Sequence, residues 1–192
     1  MQLLKKEIED AIYNATDDEL RAHGLGGVVG EGIIKRFRQL DLGEFGRADL
    51  VFIGRQHYPY RPVLKINVIE LKKDKVGLEA LGQALRYTYA IQSKLKERGF
   101  KDFGFRITLI GMCSSCNFMY LPHLLYEANS PCVGRINSIN VYGMEYDING
   151  LYFVNQNIGQ RHTKTKEDCL CTKGMKTGKE DALPFWQNWG IR

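Results

Sequence analysis

The chain has 192 residues, which at about 100 to 200 residues per domain allows one domain with a short appendage and excludes two full domains. Hydrophobic residues make up 44% and charged residues 26%, close to the globular average, so disorder of the chain as a whole is excluded. A net charge of +5 permits a polyanionic partner without requiring one. The apolar runs at 47–54 and 63–71 fall far short of the roughly 18 residues that cross a bilayer, so no membrane span is expected. The N-terminus turns acidic before an apolar run can form, and five cysteines make an odd set for a secreted disulfide framework. Both features lead to the expectation of a cytoplasmic protein.

In chain order, residues 3–22 place Leu4, Ile8, Ala11 and Ile12 at three- and four-residue spacing between charges, the pattern of an amphipathic helix. Asn14-Ala-Thr-Asp ends or divides it. HGLGGVVGEG at 23–32 carries five glycines in ten residues and reads as a turn-rich connection. Three extended runs follow: IIKRFRQL, then ADLVFIG, then VLKINVIELK beyond a proline-bearing loop. Residues 78–99 form a long patterned helix stopped by Gly99. FRITLIGMC at 105–113 reads as a buried fourth strand, with a short helix around 120–127 after it. Asn149-Gly150 between aromatic-rich runs predicts a hairpin. The order describes an α/β fold, a mixed central sheet flanked by helices over residues 1–160. Residues 161–192 are polar and basic, an appendage expected to dock on the core through its terminal aromatics.

The chemistry concentrates in the middle of the chain. Alternate side chains of a strand share a face, so Glu70 and Lys72 project together from VIELKK while Ile69 and Leu71 point the other way. A hairpin connection would bring the strand of Asp49 beside them. Two carboxylates converging at the end of a sheet make a hard-oxygen site for Mg²⁺ or Mn²⁺, with the backbone carbonyl of Leu71 as a further ligand. An adjacent ammonium would orient a water and steady a phosphate. On the next helix Gln83 and Tyr87 lie four residues apart on one face, with Glu79 and Arg86 beside them.

The blocks Gly46-Arg-Ala-Asp49, Glu70-Leu-Lys72 and Gln83-Ala-Leu-Arg-Tyr87, in this order on these elements, resemble the PD-(D/E)xK nuclease superfamily, and within it the RecB-type branch with a Gln-xxx-Tyr motif. The resemblance covers about residues 1–112; Ala48 stands where the named pattern has proline. It implies a restriction-endonuclease-like core and a Mg²⁺-dependent deoxyribonuclease of the kind used in repair or by phage. Asp49 and Glu70 would hold the metal with the Leu71 carbonyl, and Lys72 would position the attacking water. Gln83 and Tyr87 would lie beside the site and the DNA. Family members often add a first-helix glutamate, here Glu9, with Glu7 and Glu31 as weaker candidates.

Arg36 and Arg86, with Lys164 and Lys166 in the basic stretch after Arg161, are the expected contacts to a DNA backbone; Lys35 and Arg38 would extend that surface. The cysteines at 113, 116, 169 and 171 do not follow the spacing of a cysteine-held iron–sulfur cluster, and neither that cluster nor structural zinc is expected. The four histidines lack ligand spacing. The expected partner is DNA, with a homodimer suited to cutting both strands. The rival readings are a non-catalytic nucleic-acid-binding or structural module of the same fold, and a nuclease acting on RNA.

Overall fold

The computed structural model describes residues 5–58, 61–114, 136–147 and 150–156, all within one compact unit, Met1–Gln160. The expected appendage 161–192, the helix near 120–127 and the cysteines beyond Cys113 lie outside the described residues. The elements are α1 (Lys5–Asn14), α2 (Asp17–Leu20), α3 (Gly26–Val29), β1 (Ile33–Asp41), β2 (Arg47–Tyr58) and β3 (Arg61–Leu71). They continue with β4 (Lys75–Val76), α4 (Leu78–Glu97), β5 (Phe103–Gly111), β6 (Cys113–Ser114), β7 (Ile136–Asp147) and β8 (Gly150–Asn155). No helix among the described residues is long and apolar enough to cross a membrane.

The amphipathic first segment divides where the sequence carries Asn14-Ala-Thr-Asp. Thr16 restarts the chain with a capping box: its hydroxyl accepts from the Glu19 N–H at 3.2 Å, and the Glu19 carboxylate accepts from the Thr16 N–H at 2.7 Å. Arg36 on β1 closes the break from the other side. Its guanidinium donates to the carbonyls of Tyr13 and Ala15 and, at 2.7 Å, to the Asp17 carboxylate. These are carbonyls at the end of α1, where a cation both caps and opposes the helix dipole. Arg36, expected as a DNA contact, directs these donors to a helix end.

The glycine-rich stretch differs from a plain turn. A wide helical turn at 21–25 leads into α3, because Leu25, Val28 and Val29 between the glycines are buried. Burying those side chains outweighs the roughly 1 kcal/mol that each helical glycine costs. Gly24 has a φ of +91°, and a Cβ there would lie 2.1 Å from the Phe153 carbonyl oxygen. Only glycine lets this turn lie against β8.

Six strands form a mixed sheet in the order β1-β2-β3-β5-β7-β8, and β4 pairs with β6 in a separate two-stranded ribbon. The β1-β2-β3 meander is antiparallel, β3-β5 and β5-β7 are parallel, and β7-β8 is antiparallel. The expected β7-β8 hairpin is present; its turn residues 148–149 lie outside the described residues. Alternation along β3 assigns the two faces. Ile66 and Val68 join Ala80, Ala84 and Tyr87 of α4 in one core, while Ile69 and Leu71 join Ile8 and Ile12 of α1 and Val28 and Val29 of α3 in another. The sheet is thus covered on both faces, which is why β3 and β5 read as continuous apolar runs. The buried polar pair Asn67 and Thr108, bonded at 2.9 Å, joins these two central strands.

Ile107 is fully buried mid-strand on β5, whereas Ile34 on β1 is 57% exposed. Ile107→Ala is expected to lower unfolding free energy by about 2 to 5 kcal/mol. Ile34→Ala is expected to change it by less than about 0.5 kcal/mol. Urea denaturation of both variants checks the assignment of the core.

Candidate active site

The site forms where the meander meets α4. The β2-β3 register pairs Leu50 with Ile69, and one step further sets Asp49 across from Glu70. Both are almost fully buried, at 5% and 3% exposure. Like charges facing each other across a strand pair destabilise it, so the pair needs compensation. Leu71 supplies part of it, its backbone N–H donating to Asp49 Oδ2 at 2.8 Å. The approach to Asp49 is a tight loop in which Gly46 N–H donates to the Gly43 carbonyl and Leu42 N–H to the Gly46 carbonyl. Gly46 has a φ of +97°, and the Tyr87 ring lies 3.5 Å from where its Cβ would be. The glycine of the Gly-Arg-Ala-Asp block thus lets the loop turn against α4.

Lys72 leaves β3 on the same face as Glu70. Its backbone N–H continues the β3-β5 pairing by donating to the Ile110 carbonyl at 2.8 Å. Its ammonium lies 3.3 Å from Glu70 Oε1 and donates to Gln83 Oε1 at 2.6 Å. Gln83 on α4 therefore fixes the lysine directly, and Tyr87 one turn later is 6% exposed. Burial first, and then the negative charges of Glu70 and Asp49, push the Tyr87 phenol above its ordinary range. Arg86 points to solvent beside it.

Glu9 lies on α1, as expected, and bonds to β1. It is 4% exposed, but its Oε1 accepts from Arg38 Nε at 2.6 Å and its Oε2 from Gln39 Nε2 at 2.7 Å. Arg38 also pairs with Asp10. The carboxylate anchors α1 to β1 and does not join Asp49 and Glu70. Gln39 is the one non-glycine among the described residues with a positive φ, +48°; it falls between the pairs Arg38 with Leu50 and Leu40 with Ala48, across from Asp49. Such conformations persist where surrounding contacts fix them. Glu31 lines a separate cleft with Lys65 and Arg106.

Lys5 is the site residue that sequence reasoning missed. Its ammonium reaches Asp49 Oδ1 at 2.8 Å and Oδ2 at 2.7 Å. The available signal was its position four residues before Glu9, on the same helix face.

Together these groups fit a hard divalent cation. Asp49 already binds a cation, the Lys5 ammonium, and Glu70 Oε2 is buried without a hydrogen-bond partner, an acceptor in need of positive charge. Every donor is oxygen. Among the described residues no third histidine, cysteine, aspartate or glutamate joins the pair, so a metal here would complete its shell with a backbone carbonyl and water, as Mg²⁺ does.

Burial first, with the Asp49 charge second, raises the Glu70 carboxyl from 4.5 to about 7, against the opposing pull of Lys5 and Lys72. The folded chain then holds this proton more tightly than the unfolded one. Its contribution to stability is full below pH 4.5 and is lost as pH rises through about 7. In EDTA, native stability is expected to fall by on the order of 3 kcal/mol across that window relative to Glu70→Gln, whose profile lacks this slope. Urea melts at several pH values measure it. Comparison with protein-family models, with curated proteins and with solved structures finds no match to this chain.

Proposed function

We propose that this chain is a divalent-metal-dependent nuclease that hydrolyses DNA phosphodiester bonds on a restriction-endonuclease-like core of the PD-(D/E)xK type. The observation that carries this reading is the buried, unpartnered Glu70 Oε2 facing the strand of Asp49, with Lys72 on the same face. The order of elements supports it: a helix, an antiparallel three-stranded meander, a helix, and a strand parallel to the last of the meander. So does the contact between the lysine of the Glu-Leu-Lys block and the glutamine of the Gln-xxx-Tyr block.

Asp49, Glu70 and the Leu71 carbonyl would hold Mg²⁺ or Mn²⁺. Such an ion polarises a phosphoryl oxygen and lowers the pKa of a water. Lys72, held between Glu70 and Gln83, keeps its ammonium aimed at the site, where it orients the attacking water and steadies charge growing on the phosphate. In-line attack forms one P–O bond as the bond to the leaving sugar oxygen breaks. Gln83 acts by fixing Lys72, and Tyr87, buried one turn further along α4, would offer its O–H beside the carboxylates. Arg86, exposed on α4, is the candidate contact to the DNA backbone among the described residues; Lys164 and Lys166 lie outside them.

The test is cleavage of supercoiled plasmid, linear duplex and single-stranded DNA with Mg²⁺, Mn²⁺ or EDTA. Asp49→Ala and Lys72→Ala are expected to lose roughly 100-fold or more in rate, with Lys72→Ala retaining DNA affinity in a filter-binding assay. Gln83→Ala is expected to lose less, about tenfold, because water can replace one hydrogen bond to Lys72. Wild-type turnover by Lys72→Ala would remove that residue from the mechanism. Absence of cutting on every DNA would transfer the reading to RNA, and absence there to a binding module.

A further inference from the structure

Lys5 has no part in the chemistry described above, yet its ammonium straddles the Asp49 carboxylate, 2.8 Å from one oxygen and 2.7 Å from the other. Those are the oxygens a metal ion would use. The two partners differ in freedom: the Asp49 side chain is 7% exposed and the Lys5 side chain 40%. Asp49 is further fixed by the Leu71 N–H. Lysine carries its charge on a long flexible stem, so it is the partner able to withdraw.

The reach of Lys5 is set by the far side of its helix turn. Glu9 follows four residues later on the same face and is clamped to Arg38 and Gln39 of β1. With α1 held there, the ammonium stands at Asp49. Lys5 and Lys72 already place two positive charges beside Asp49 and Glu70 without a metal. Adding a divalent cation to that set leaves excess positive charge in a half-buried place unless one ammonium departs. Lys72 is tied to Gln83 as well as Glu70, whereas the Lys5 ammonium bonds to Asp49 through both carboxylate oxygens.

Resting on the metal site proposed above, we infer that Lys5 is the resident counter-ion of that site: it holds the Asp49 carboxylate in the metal-free protein and must leave those oxygens for a divalent cation to bind. Lys5 thereby weakens metal binding in the free protein and keeps the carboxylate pair stable without it.

Titration calorimetry with MnCl₂ on the full chain, without DNA, tests this. Lys5→Met is expected to bind Mn²⁺ roughly tenfold tighter or more than the native chain, the equivalent of one charge-assisted hydrogen bond. Lys5→Arg should retain native-like affinity. Lys6→Met removes the exposed charge next along α1 and should stay within about twofold, because its solvated charge is screened. In EDTA, Lys5→Met should melt below the native chain and gain more in Tm on adding Mn²⁺. Tight binding by Lys5→Met should vanish when Asp49→Asn is added. Equal or weaker Mn²⁺ affinity in Lys5→Met, equal tightening by Lys6→Met, or tight binding that survives Asp49→Asn each overturns the inference. If the native chain cuts DNA in an Asp49-dependent way while its Mn²⁺ affinity ignores Lys5, the nuclease reading stands and the counter-ion role fails. If neither chain binds Mn²⁺, both fail; binding seen only in Lys5→Met supports the role.

Discussion

Two carboxylates buried against each other on neighbouring strands are the constraint around which this molecule is arranged. Asp49 and Glu70 face one another at the end of the β2-β3 pair, both almost removed from water, and two charges in that position repel strongly. The chain answers with groups from four places: the Leu71 N–H, the Lys5 ammonium on α1, the Lys72 ammonium beyond β3, and Gln83 on α4 holding Lys72 in place. Even so, one Glu70 oxygen is left without a partner. Such an arrangement costs stability, and buried groups with strongly shifted pKa values are found often at functional sites.

The rest of the architecture positions those compensating groups. The parallel β3-β5 pairing extends to the Lys72 backbone, which fixes where the lysine leaves the sheet. Packing of Ala80, Ala84 and Tyr87 on the α4 face sets the height of Gln83. On the other face, the Glu9 clamp and the Arg36 latch tie α1 and α2 to β1. Small alanines let α4 sit close to the sheet, so a lysine and a glutamine from different elements meet at 2.6 Å.

Much of this was legible in the residues. Alternation in VIELKK gave the common face of Glu70 and Lys72, and the meander gave the neighbour strand carrying Asp49, because period-2 patterns and short connections are local signals. The i,i+4 spacing of Gln83 and Tyr87 gave their shared face. What was not legible depends on contacts far apart in sequence. Glu9 was placed on α1, but its bonding was not legible, since the arginine and the glutamine that take it up are about thirty residues away on β1. Arg36 was read as surface charge because nothing local reveals the helix end packed on its own face of the sheet. The left-handed conformation of Gln39 has no sequence signal at all, since that residue type does not favour it. The helix α3 hid behind its glycines.

Asp49 and Glu70 are proposed to form, together, a site for a divalent cation. Anomalous diffraction from a Mn²⁺-soaked crystal of the full chain tests it without any assumption about substrate. A manganese peak between the two carboxylates, lost in Asp49→Asn, is expected; a carboxylate pair that still binds Lys5 at saturating Mn²⁺, with no peak or with the ion elsewhere, would contradict it.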